Sequence, residues 1–234
     1  MDKEKRSKDQ IIEIIVAVLL GVTALATAWA SWIGSLHGGN QATNYTTSNN
    51  LSAEGNSEWN EASQMLMQDM MTWNTISDIY IDMAYAEEKG DELEYEKLSY
   101  KYDTLLYDNC TEDFQAAIEW ALSQEEWTSP FEYTYEDGTT YQDSYFDNAR
   151  EVIAEADQML EQGKADNTNG DAFNLVTVIY SVVLFLLGIV GVFKNLPNRI
   201  AILGVAAVGF LIATIYMFTI PMPTGFSLMS FFRH

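Results

Sequence analysis

The sequence predicts an all-α membrane protein, with three transmembrane helices and a small acidic, mainly helical extracytoplasmic domain. Three observations predict it. Apolar residues gather in three runs, 11–36, 172–193 and 200–220. Acids gather between the first and second runs, where residues 34–171 hold 30 acids against 5 bases in a chain of net charge −22. Within that acidic stretch, large apolar residues recur at three- and four-residue steps, the period of an amphipathic helix.

Each apolar run reaches about the 20 residues needed to cross a hydrocarbon core of roughly 30 Å. Soluble helices this long are seldom apolar on every side. Run 11–36 follows the basic start MDKEKRSKDQ. It exceeds the roughly 7–15 residues of a signal-peptide core, so it reads as a retained anchor. Lys3, Lys5, Arg6 and Lys8 precede the first run, and Lys194 and Arg199 lie in the loop 194–199 between the second and third. The positive-inside rule places both segments in the cytoplasm. Residues 1–10 are then a cytoplasmic N-terminus, 37–171 an extracytoplasmic domain, and 221–234 an extracytoplasmic tail. Trp29 and Trp32 fall near the outer end of the first span, and Tyr216 and Phe218 near that of the third, where an aromatic belt belongs.

In the acidic stretch, GSLHGGNQATNYTTSNN (34–50) reads as a linker, or as a continuation of the first helix after a break at Gly38 and Gly39. Trp59, Ala62, Leu66, Trp73, Ile76 and Tyr80 mark one face of a helix over 57–88, with Gly90 ending it. A second helix fits 93–107. A third starts at Thr111, whose followers Glu112 and Asp113 suit the positive end of the helix dipole. Residues 129–146 alternate aromatic and polar side chains around Asp137-Gly138, as a small hairpin or an aromatic loop. A last outer helix fits 143–162, stopped by Gly163, and Asp171 reads as the N-cap of the second span.

NGDAFNLVTVIYSVVLFLLGIVGVFKNLPNRIAILGVAAVGFLIATIYMFTIP, together with ALATAWASW and EWNEASQML, resembles an uncharacterised prokaryotic membrane-protein family. Its members have one N-terminal transmembrane helix, an extracytoplasmic helical domain and a C-terminal transmembrane hairpin. The matching features are GDAFNL opening the second span, LFLLGIVGVFK closing it, and a third span ending in proline. The resemblance implies this layout and no activity.

Glu13 interrupts the first apolar run. At 100° per residue, Leu20, Ala24, Thr27, Ser31 and Ser35 lie within about 40° of it. One face of the first span therefore carries a carboxylate, small residues and three hydroxyls, and these six are the pore-lining candidates. Ionisable groups in a membrane usually face protein or water. The bland reading, a Glu13 shallow enough to reach the interface or fixed in helix packing, is the stronger one. Gly188, Gly191, Gly204, Ala207 and Gly209 are expected to allow close helix packing in the hairpin.

His37 reads as an interfacial histidine, with pH sensing as the sharper alternative. With only His37 and His234 present, a histidine metal site is excluded. The oxygen-rich loops at 166–171 and 135–140 lack the twelve-residue calcium pattern, so the metal assignment stays open. Lone Cys110 reads as a buried free thiol rather than a bridge between subunits. No nucleotide, zinc-protease, hydrolase or dinucleotide fingerprint is present, so no enzyme and no cofactor are expected. The acidic surface excludes nucleic acid as a partner and favours cations. The expected function is a homo-oligomeric, channel-like cation pathway among membrane lipids, with an acidic outer vestibule. The alternative is a non-conducting envelope anchor or sensor whose outer domain binds a partner or ligand.

Overall fold

The computed structural model describes residues 2–193 and 195–227, with residues 2–8 by backbone alone. The side chains of Lys3, Lys5, Arg6 and Lys8, the loop residue Lys194, and residues 228–234 with His234 lie outside this description. The described chain is all-helical: α1 (Asp2–Lys89), α2 (Glu92–Asn109), α3 (Glu112–Leu122), α4 (Tyr141–Ser144), α5 (Asp147–Ile189) and α6 (Leu196–Thr219), with single 3-10 turns at Pro130–Glu132 and Val190–Val192. Three of these helices, α1, α5 and α6, contain stretches long and apolar enough to cross a membrane. The chain divides into two compact units, one of residues 1–48 and 157–234, the other of residues 49–156.

Two expected breaks are absent. Gly38 and Gly39 do not interrupt α1, and the stretch 34–50 is helix rather than linker. Gly163 does not stop α5, and Asp171 is a mid-helix residue rather than an N-cap. Glycine costs a helix about 1 kcal/mol relative to alanine, which is too little to break it where neighbouring turns are held. Gly163 has a packing reason instead: a Cβ there would lie 2.5 Å from the Tyr45 ring. Gly34 and Gly170 serve the same end. A Cβ on Gly34 would meet the Phe173 Cβ at 3.3 Å, and one on Gly170 would meet the His37 Cβ at 3.5 Å.

The first unit is a bundle of α1, α5 and α6. Ala30 and Ile33 of α1, Phe173, Val176 and Tyr180 of α5, and Ala213 and Met217 of α6 form its main core. Tyr180, fully buried, bonds its hydroxyl to Thr214 Oγ1 at 2.9 Å. A second cluster joins Val183, Leu187 and Ala206, with Leu19, Leu20 and Leu203 against it.

The second unit gathers the middle of the chain. α1 ends in a Schellman motif: Asp91 N–H bonds to Ala86 O and Gly90 N–H to Glu87 O, both at 3.0 Å, with Gly90 at φ +66°. Asp91 then caps α2 through Glu94 N–H, and Thr111 caps α3 through Phe114 N–H. The start at Thr111 was expected from the sequence, whereas α2 begins at Glu92, one residue before the expected 93. The aromatic stretch is neither a hairpin of regular strands nor a plain loop. It holds a 3-10 turn, one isolated antiparallel bridge between Thr134 and Thr140, and α4. Phe131 and Tyr141 from these pieces, with Phe114 of α3, close over Leu66, Trp73 and Ile76 of α1 and Leu106 of α2.

Backbones also approach closely in this unit. A Cβ on Gly55 would lie 2.7 Å from Ile153 Cγ1, 3.3 Å from Ile153 N and 3.4 Å from Ala149 O. Gly55→Ala is therefore expected to destabilise the second unit by about 1–3 kcal/mol, as overpacking does. Chemical denaturation followed by the tryptophan signal checks it, and a stability equal to wild type would refute the close approach.

Alkali should loosen the same unit. Cys110, half-buried, donates its thiol to Leu105 O, and burial, with the Asp69 charge second, pushes it up to about 11. Burial, with neighbouring phenols and carboxylates, pushes Tyr102 up to about 12. Folding holds these protons more firmly than the unfolded chain does. The stability they contribute is complete below the unfolded values of 9.0 and 10.0 and is lost as pH climbs through the folded ones. Circular dichroism across that range should show falling stability, with a shallower fall in Cys110→Ser.

Candidate functional site

The residues expected to line a path are not drawn together within one chain. Glu13 is two-thirds exposed and faces Arg199, whose Nη2 is 3.7 Å from Glu13 Oε1 and whose Nη1 bonds Asp9 Oδ1 at 3.2 Å. Ala24, Ser31 and Ser35 are exposed, while Leu20 and Thr27 are half-buried. Thr27 returns its hydroxyl to Thr23 O of its own helix at 2.7 Å. Arg199 is mostly buried, and its Nε has no hydrogen-bond partner among the described residues. Of the five expected packing residues, Gly209 lies against α5, where an added Cβ would come within 3.2 Å of Val183 Cγ2, and Ala207 is half-buried. Gly188, Gly191 and Gly204 border open space within this chain.

A different constellation is built deep in the first unit, around His37. The residue is 1% exposed, so it is a buried group rather than an interfacial one. Its Nδ1 lies 2.8 Å from Asp166 Oδ1 of α5, and Asp166 is itself 5% exposed. Its Nε2 lies 3.1 Å from the backbone oxygen of Pro221, just past α6. The other Asp166 oxygen accepts from Asn44 Nδ2 at 3.0 Å. Asn40 Nδ2 donates to both Thr224 O and Thr224 Oγ1 at 3.2 Å. The Phe173 ring stacks on the imidazole, with centroids 5.8 Å apart.

The local sequence explains this. His37, Asn40 and Asn44 stand at i, i+3 and i+7, which is one face of a helix. Ser48, also buried, continues the face. Glycines at 34 and 170 let α1 and α5 close to the distance at which His37 meets Asp166. Beyond α6, Gly225 at φ +76° turns the chain so that Phe226 meets Trp29 and Trp32 edge-on, at 6.1 and 5.8 Å. The segment 221–227 is thereby fastened to α1 by one polar and one aromatic contact set.

The hydrogen-bond inventory of the ring fixes its chemistry. A neutral imidazole donates through one nitrogen and accepts through the other. The Pro221 carbonyl only accepts, and an ionised Asp166 only accepts. Both contacts form together only when the His37–Asp166 pair holds one proton more than a neutral ring beside an ionised carboxylate. Loss of that proton leaves one ring nitrogen facing an acceptor with nothing to donate. A buried polar group left so costs about 1–3 kcal/mol. Among the described residues, Asp166 is the ionisable side chain that hydrogen-bonds to the ring, and the segment 221–227 contributes no charged residue.

Sequence reasoning noted His37 but missed Asp166, Asn44 and Asn40. Polar residues at heptad-like spacing past an apolar run were the available signal. Among the described residues, no group of three or more His, Cys, Asp or Glu side chains is placed to hold a metal ion. No family model, curated protein or solved structure matches the chain.

Proposed function

We propose that this chain is a non-conducting anchor and sensor of a prokaryotic cell membrane, carrying residues 49–156 outside the cell. In this reading the His37–Asp166 pair makes the hold on segment 221–227 depend on protonation. The observation that carries it is a buried imidazole whose two nitrogens both face acceptors. Ionisable groups buried at such a place are costly and are commonly functional. The test is limited proteolysis of the full chain in detergent over about pH 5 to 8. Cleavage within 221–227 should rise with pH in the wild type and be insensitive to pH in His37→Gln. Equal cleavage of the wild type at every pH in that range would overturn the reading.

One observation favours a second reading, the homo-oligomeric cation pathway. Glu13, Ala24, Ser31 and Ser35 form a polar, small-residue face of α1 that α5 and α6 leave uncovered. A neighbouring copy could cover it. Against conduction, the Glu13 carboxylate faces the Arg199 guanidinium, which weakens its pull on a passing cation. Native mass spectrometry decides first: a closed ring of four or more supports the pathway, and a monomer or dimer removes it. Within a ring, cation flux that falls in Glu13→Gln would establish the channel.

A further inference from the structure

Residues 65–71 of α1 read MLMQDMM, so four of the ten methionines of the chain fall within seven positions. Leu66 of this stretch is in the core of the second unit. Met65, Met67, Met70 and Met71 are all exposed, Met67 and Met71 by 62% and 67%. Every exposed apolar side chain between 65 and 71 is a methionine. The repeated feature is the thioether sulfur.

Met67, Met70 and Met71 stand at i, i+3 and i+4, where helix neighbours have Cβ atoms about 5–6 Å apart. Met65 projects to the other side. Each of the three has a flexible stem with three rotatable bonds, so their sulfurs can converge above one turn of helix. Gln64, Gln68 and Asn74 are exposed around them and carry no charge. The strongly acidic surroundings, −22 over the whole chain, raise the local concentration of any cation. Thioethers are soft ligands that select Cu(I) over the hard and borderline divalent ions.

We propose that Met67, Met70 and Met71 bind one Cu(I) ion through three thioether sulfurs. The site uses no other residue type and is separate from the His37 junction.

Silver(I), a redox-stable probe of the same softness, tests it. Full-length protein in detergent is titrated calorimetrically in chloride-free buffer. The variants are Met67→Leu/Met70→Leu/Met71→Leu and Cys110→Ser. Leucine keeps size and hydrophobicity at exposed positions, so the fold should survive, as circular dichroism will show. The expected result is one equivalent bound by the wild type and by Cys110→Ser, with affinity reduced at least about tenfold in the triple variant. The methionine ε-methyl carbon resonances of these three residues should shift on titration. Three results would overturn the proposal: no binding by the wild type, equal binding by the triple variant, or loss of binding in Cys110→Ser.

Discussion

Replacing His37 with alanine is expected to destabilise the first unit by about 3–5 kcal/mol, the cost of removing one member of a buried pair. The substitution strands three groups at once. Asp166 keeps Asn44 as its partner among the described residues, the Pro221 carbonyl loses its donor, and Phe173 loses the ring stacked on it. His37→Gln should recover part of the loss, because its amide offers both a donor and an acceptor. Asp166→Asn should cost less than His37→Ala, since the amide oxygen can still accept from the ring. Denaturant unfolding of the full chain in detergent measures all three. A loss under about 1 kcal/mol for His37→Ala would show that the pair contributes little to holding the bundle.

Phe114→Ala should cost the second unit about 3–5 kcal/mol, the range for deleting a fully buried aromatic ring. Phe114 is completely buried, lies parallel to Tyr141 with centroids 5.3 Å apart, and touches Phe131 at 5.8 Å. Its removal opens a cavity at the point where the 3-10 turn, α4 and α3 meet, and short elements of this kind have little else to hold them. The neighbouring polar knot should suffer too. Tyr141 and Tyr145 both donate to Asp69 Oδ2, and their hydroxyls are 2.9 Å apart. Burial raises both phenols well above the usual tyrosine value, so the knot stays protonated up to strong alkali. Hydrogen exchange should show lost protection in 112–146, with the amides of α6 unchanged. Lost protection spread evenly over the chain would refute two separate cores.

The helical class and the three spanning stretches were legible because hydrocarbon-crossing runs and a 3.6-residue period are local properties of composition. The stop of α1 at Gly90 and the start of α3 at Thr111 were legible for the same reason. Gly90, Asp91 and Thr111 act on backbone groups within a few residues of themselves. The glycines at 38, 39 and 163 misled because their effect depends on what lies opposite them. Gly163 terminates nothing once Tyr45 occupies the space beside it. The candidate site was least legible. A histidine at the end of an apolar run says nothing of an aspartate lying 129 positions further on. Glu13 stood out as a charge in an apolar run, yet the cation it faces, Arg199, belongs to a different helix.

The separation in sequence around His37 also sets an order of assembly. Its partners lie 129 and 184 residues later. A chain emerging from the ribosome exposes His37 long before Asp166, and Asp166 before Pro221. Closing contacts of such high separation is intrinsically slow, because much chain entropy is lost before they form. The junction can therefore be completed only after Pro221 has been made. A nascent chain stalled before residue 221 holds a histidine whose Nε2 lacks the Pro221 carbonyl that faces it in the finished molecule.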